Sequence, residues 1–251
     1  MSDATLYIVD RGVATITLNS PDEKNSLSAA LTNSLGDNLK AAQQDDSVRA
    51  IVLTNVGNTF CAGANLKNPN GQKPRYNLVD IFMLMMNNPK PIVGRINGHC
   101  MGGGVGLAAA CDLSVIADDS KVGFTEVRIG VAPAIISVVC LPKMRRADAI
   151  ELMLGGEKIA ASKAAEVGLL NYAVPAEEID CKVSELVAKL VQGGPNAMAA
   201  TKQLVYKIPS MELDAAYGWT ADLSGKLFRS DEATAGISAF RNREKAPWVP
   251  E

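Results

Sequence analysis

The stretch "INGHCMGGGVGLAAACDL", residues 96–113, sets Gly102, Gly103 and Gly104 between a β-branched run and a run of small apolar residues. Glycines at a helix start let backbone N–H groups face a ligand oxygen, where the helix dipole favours negative charge. The same three residues also suit a turn packed so closely that no side chain fits. A second small-residue turn, Ala62-Gly63-Ala64, lies in "NTFCAGANLK", residues 58–67. Two such turns converging on one carbonyl oxygen would each supply one N–H donor, and such a donor on a developing oxyanion is worth about 3 kcal/mol. Glu126 is a lone acid in the largely apolar "VGFTEVRIG". Burial there would raise its pKa towards the range of a general base; the alternatives are a surface acid paired with Arg128, or a helix cap.

Other chemistries find little support. A dinucleotide fingerprint requires a glycine where Leu107 stands, and no GKS or GKT follows to make a phosphate loop. His99 is the only histidine; a hydrolase would need it beside a serine such as Ser137, and no GxSxG is present. Cys61, Cys100, Cys111, Cys140 and Cys181 are scattered singly among small apolar residues, as packed thiols are, with no metal-like spacing. The expectation is therefore no metal and a reducing, cytoplasmic setting. A formal charge of −2 without a basic run argues against nucleic acid, and no membrane-length apolar run or targeting segment is seen.

The elements that must position these residues read as α/β. An apolar fraction of 47% over 251 residues supports one large core. Strands are expected in residues 5–19, 49–56, 90–98 and 112–118, each closing at Asn, Asp or Gly. Helices are expected over 28–45, with Leu27, Leu31, Leu35 and Leu39 along one face, and over 76–88, ending before Pro89. After residue 143 successive helical patterns follow, the last with Leu213, Ala216, Tyr217, Leu223 and Leu227 on one face. Asp112 is placed to end or orient the glycine helix.

The segments "TFCAGANLK", "KPIVGRINGHCMGGGVGLAAACDL", "VGFTEVRIGVAP" and "ASKAAEVGLLNYAVP" stand in the order and spacing of the crotonase, or enoyl-CoA hydratase/isomerase, family. "LNSPDEKNSLS" and "GISAFRNREKAPW" also resemble family segments, so the likeness spans nearly the whole chain. The resemblance implies a ββα superhelical spiral over residues 1–190, and a helical region at 191–251 serving assembly into trimers or dimers of trimers. It implies an acyl-CoA thioester substrate, with coenzyme A as part of the substrate and no separate cofactor. By matching position it makes Ala64 and Gly103 the oxyanion-hole donors and Glu126 the acid/base. Ala62 resembles the turn that meets adenine, with Lys24, Arg243 and Lys245 as candidates for the phosphates. Lys67, Gly106, Pro133 and Ile135 complete the substrate-binding candidates.

One departure limits the reaction. Family hydratases commonly carry a first glutamate four residues after Gly102, where this chain has Gly106. Asn65 replaces a frequent Asp, and "APAIIS" at 132–137 replaces a glycine-rich turn, with Ile135 and Ile136 making the acyl pocket more apolar. The expectation is a hydratase-type lyase with one glutamate. The alternatives are a Δ3,Δ2-enoyl-CoA isomerase using that glutamate, and an acyl-CoA-binding protein with little turnover.

Overall fold

The computed structural model describes residues 3–66 and 72–249. The chain opens with β1 (Thr5–Asp10) and β2 (Val13–Leu18), an antiparallel pair joined by Arg11 at φ 43 and Gly12 at φ 78. Two left-handed residues match the twist of the flanking strands, which is why a two-residue hairpin closes here. Next come α1 (Ala29–Gln44), β3 (Ala50–Asn55), β4 (Thr59–Cys61), α2 (Leu78–Met86), β5 (Ile92–Ile96), β6 (His99–Met101), α3 (Gly103–Ala109), β7 (Leu113–Ala117) and β8 (Lys121–Gly123). The remainder is α4 (Ala134–Cys140), α5 (Arg146–Gly155), β9 (Lys158–Ala160), α6 (Ala161–Glu166), β10 (Tyr172–Val174), α7 (Ile179–Leu190), α8 (Pro195–Lys207), α9 (Leu213–Phe228) and α10 (Asp231–Asn242).

Among the described residues the strands form two sheets. The larger runs β1-β2-β3-β5-β7-β10, parallel from β2 onward. Parallel strands covered on both faces bury every side chain, and β3 does so along its whole length. Ile51, Leu53, Ile92 and Ile96 pack with Leu31, Leu35 and Leu39 of α1 and Ile81 and Met85 of α2. On the other face Val52, Val93 and Val115 meet Ile179, Val183 and Leu186 of α7. Each such aliphatic side chain contributes about 2 kcal/mol by leaving water.

The two expected leading helices are present with identifiable ends. Ser28 caps α1 by accepting from the Leu31 N–H at 3.2 Å, while Leu27 lies just ahead of the helix. Asn77 and Asp80 form a reciprocal cap on α2, which closes at Asn87, two residues before Pro89. The helical C-terminal reading also holds, with a different surface. The α9 face buries Ala216 but leaves Leu213 and Tyr217 each 69% exposed. The expectation that all five cysteines are packed is corrected at Cys181, which is exposed near the start of α7; the other four are buried. No sequence pattern announces the smaller sheet, β4-β6-β8-β9, whose strands have three residues each. Strands β4, β6 and β8 run parallel, and β9 closes the edge antiparallel to β8.

Candidate active site

Three neighbouring parallel strands of the smaller sheet end on the same side, and each delivers one turn. β4 leads into Ala62-Gly63-Ala64, β6 into Gly102-Gly103, and β8 through Phe124 and Thr125 into Glu126. The first two turns approach through bare backbone. A Cβ on Gly63 would fall 2.8 Å from the Met101 carbonyl oxygen and 3.0 Å from the Gly103 nitrogen. A Cβ on Gly104 would fall 2.1 Å from the Cys61 carbonyl oxygen. Gly102 takes φ 52 and ψ −121, a conformation that L side chains rarely adopt. Of the two readings of these glycines, close packing is thus met at Gly63 and Gly104.

The free donors follow from the pairing. Ala62 N–H donates to the Lys24 carbonyl at 3.0 Å, and Leu27 N–H donates to the Gly63 carbonyl at 2.8 Å. Leu27 and Ala64 form a parallel bridge, in which the Ala64 N–H points away from the Leu27 strand. Gly103 is the first residue of α3, so its N–H has no acceptor within the helix. Ala64 is exposed and Gly103 half-buried, and no hydrogen bond from either N–H is seen among the described residues.

Glu126 begins a one-turn 3-10 helix, Glu126–Ile129, that ends at left-handed Gly130. Its carboxyl group lies over the glycine turn: a Cβ on Gly102 would stand 3.1 Å from Glu126 Oε1. Oε2 is buried without a hydrogen-bond partner among the described residues. Burial raises the Glu126 pKa above the ordinary value, partly offset by its own backbone N–H. Arg128, the alternative partner, turns away and donates to the Gly155 carbonyl from Nε at 3.1 Å and Nη2 at 2.8 Å. A carboxylate with an unused buried oxygen beside two open N–H donors is equipped to take a proton from a carbon whose carbonyl those donors hold.

One α3 turn further on, the space is closed. A Cβ on Gly106 would meet Ile136 Cγ2 at 2.5 Å and Phe82 Cζ at 2.7 Å. Hydrocarbon from α4 and α2 thus occupies the volume a side chain at position 106 would need. Pro133 caps α4, Ile136 points inward at 3% exposure, and Ile135 is 48% exposed on the other side of that helix. Lys24 sits beside Ala62 through their backbone bond, with its side chain exposed. Lys67 lies outside the described residues. Arg243 ends α10 in the left-handed region, and among the described residues no hydrogen bond or ion pair joins Arg243 or Lys245 to the three turns. The tail beyond them is fastened elsewhere: Trp248 Nε1 donates to the Gln192 carbonyl at 2.9 Å, and Arg49 donates to the Trp248 carbonyl.

The remaining candidates take structural places. His99 Nδ1 accepts the Lys121 N–H at 3.1 Å, and Ser137 Oγ donates to the Ala134 carbonyl, so no hydrolytic dyad assembles. Burial pushes the Cys61 and Cys111 thiols up to about 12, which suits packing and not nucleophilic attack. Among the described residues no group of three His, Cys, Asp or Glu side chains is placed to hold a metal ion, and no helix is long and apolar enough to cross a membrane.

Two polar residues exceed what the sequence indicated. Asp112 does more than end the glycine helix: its carboxylate accepts from Ile92 N–H at 2.7 Å, Lys202 Nζ at 2.8 Å and Tyr206 Oη at 3.1 Å. Asn25, inconspicuous in the sequence, is fully buried and its amide bonds three backbone groups. The available signal was an Asn following Lys in a polar turn, since Asn tolerates the left-handed region.

Comparison with known proteins bears on the same geometry. The family model described as enoyl-CoA hydratase/isomerase matches residues 9–250. A Thermus thermophilus protein with a provisional enoyl-CoA hydratase name is 32% identical over 242 residues, covering 92% of this chain and 96% of its own. The (E)-benzylidenesuccinyl-CoA hydratase of Thauera aromatica is 30% identical over 249 residues, covering 95% and 96%. The crystal structure of an enoyl-CoA hydratase from Mycobacterium smegmatis superposes with a TM-score of 0.91 at 29% identity, covering 98% of each chain. Fold and sequence agree, and the chain belongs to the enoyl-CoA hydratase/isomerase family, with its crotonase fold.

Proposed function

We propose that this protein is a hydratase-type lyase in which Glu126 is the only carboxylate acid/base. The backbone N–H groups of Ala64 and Gly103 hold the thioester oxygen of an acyl-CoA as it becomes an enolate. The observation that carries this reading is the buried, unpartnered Glu126 Oε2 beside Gly102. In the hydration step Glu126 takes a proton from water, the oxygen bonds to Cβ, and the electron pair moves onto the thioester oxygen. The same carboxyl group then returns the proton to Cα, and the enolate collapses. Coenzyme A serves as part of the substrate, and these steps call for no separate cofactor. The hydratase names of the relatives support water addition.

A second reading, Δ3,Δ2-isomerisation, is favoured by the hydrocarbon packed against Gly106. With no second acid to share a water, Glu126 would remove a proton from C2 of a 3-enoyl thioester and return it to C4. A panel of 2-enoyl- and 3-enoyl-CoAs distinguishes the two. Water addition supports the lyase, bond migration without water supports the isomerase, and tight binding without product overturns both.

Self-association as trimers or pairs of trimers belongs to the same proposal. Its support is the exposure of Leu213, Tyr217, Phe228 and Phe240 on α9 and α10, and sedimentation velocity tests it. A reducing, cytoplasmic setting is proposed from the four buried free thiols.

A further inference from the structure

The turn that presents the Ala64 N–H is held in register by the strip of chain at residues 24–27. The Lys24 carbonyl accepts the Ala62 N–H, the Leu27 N–H donates to the Gly63 carbonyl, and Leu27 bridges Ala64. These bonds occupy the Ala62 N–H and the Gly63 carbonyl, and the Gly63 N–H donates to Cys61 Sγ at 3.4 Å, while the Ala64 N–H points away from the strip. Leu27 also reaches the second donor, since a Cβ on Gly103 would lie 2.7 Å from Leu27 Cδ1.

The strip reaches this position through two successive left-handed residues, Lys24 at φ 52 and Asn25 at φ 48. Neither is glycine. A single such residue is ordinary in a turn, whereas two in a row persist only where their surroundings over-determine them. At Asn25 they do. Its Oδ1 accepts the Ser20 N–H at 2.8 Å, and its Nδ2 donates to the Val56 carbonyl at 3.1 Å and the Thr59 carbonyl at 2.8 Å. Both amide hydrogens are thereby used. Thr59 is the first residue of β4, the strand that leads into the donor turn.

We infer that Asn25 is a positioning residue for the oxyanion donor of Ala64. Its carboxamide locks the left-handed Lys24–Asn25 pair against β4, and that lock sets where the Ala64 N–H stands relative to Gly103 and Glu126. The inference rests on the proposed oxyanion hole and extends it to a side chain that touches no substrate. Asp at position 25 would turn a carboxylate oxygen towards two carbonyl oxygens. Gly would keep the left-handed backbone and lose all three bonds, while Lys24→Gly would ease the backbone and keep them.

The test compares Asn25→Asp, Asn25→Gly and Lys24→Gly with the wild type. Asn171→Ala serves as a control that removes side-chain-to-backbone bonds elsewhere. Two readouts are taken: kcat and KM on the enoyl-CoA that the wild type turns over, and the red shift of a bound aryl-enoyl-CoA chromophore, which reports polarisation of its carbonyl. Asn25→Asp is expected to lower kcat about 100-fold, the scale of a misplaced reacting group, with KM nearly unchanged and the red shift diminished. Should that variant not fold, Asn25→Gly carries the test, with a kcat loss of about tenfold. Lys24→Gly, which also removes a candidate phosphate contact, should raise KM but keep the red shift, and Asn171→Ala should lose melting temperature without losing the red shift. Asn25 variants that keep kcat and the red shift overturn the inference while leaving the oxyanion hole intact. A wild type with turnover but no red shift overturns the oxyanion hole, and the inference with it.

Discussion

In the larger sheet, β3 buries six consecutive side chains and the neighbouring strands add isoleucines and valines on both faces. In the smaller sheet each strand has three residues, and the closest approaches are between backbones, as where Gly104 meets the Cys61 carbonyl. The first region is held by hydrocarbon area, which tolerates exchange of one apolar side chain for another of similar volume. The second also buries Phe60, Cys100 and Val122, but its turns close backbone to backbone and tolerate no added side chain. The larger sheet thus acts as a frame, and the smaller one brings three turns together at one end.

The largest effect on turnover is expected from Glu126→Gln, which removes the base while keeping shape. Turnover should fall about 1,000-fold, with binding of the CoA ester measured by calorimetry nearly unchanged; undiminished turnover would break the assignment. A paired experiment then sets the sheets against each other. Leu53→Ala should cost about 3 kcal/mol in denaturant unfolding, yet leave kcat of the folded enzyme unchanged. Gly104→Ala, which adds one methyl, should cost a similar amount, about 3 kcal/mol, and should also lower kcat by disturbing the Gly103 donor. Equal kinetic effects in these two variants would erase the distinction.

Restoring an acid at position 106 is a smaller and more specific probe. Gly106→Glu alone should destabilise by about 2 kcal/mol through overpacking against Ile136 and Phe82, with no gain in hydration. Adding Ile136→Ala opens the volume, and recovery of stability in that pair is the outcome that identifies the plug. Smaller still is the pH effect. Glu126 has an ordinary value of 4.5 that burial raises in the folded state. The folded protein then holds a proton that the unfolded chain has released, so stability falls as pH rises from about 4.5 through the raised value. Glu126→Gln should remove that fall, seen as melting temperatures that converge with the wild type at low pH and exceed it near neutrality. The acid limb of kcat/KM should lie above the ordinary carboxylate range. The smallest effect is expected from His99→Gln, within about 0.5 kcal/mol of wild-type stability and with unchanged kcat.

What the sequence revealed follows the same division. Leu31, Leu35 and Leu39, and the β-branched runs of β3, β5 and β7, carry periods that announce a helix or strand before any coordinates exist. Three residues such as Thr59–Cys61 or Lys121–Gly123 carry no period, so the sheet that builds the site was invisible. Glu126 could be singled out as a lone acid in an apolar run, but its role came from resemblance. The loss of the acid at Gly106 was readable from register. Its filling by Phe82 and Ile136 was not, because those residues come from helices distant in sequence and meet only in the fold. Asn25 left a faint local trace; the partners of Asp112 left none, since Lys202 stands 90 positions away.

That last pair bears on whether the chain is modular. A division after residue 190 would cut between α7 and α8 and strip Lys202 and Tyr206 from Asp112. The Lys202 and Asp112 side chains are only 9% and 18% exposed, so truncation would leave an anion facing a lost counter-charge at the exit of the glycine helix. Helix α8 is consequently a keystone and not an extension. Grafting this tail onto a relative's body, or the reverse, would succeed only where the recipient offers the same buried cation-and-phenol grip on the residue that follows α3.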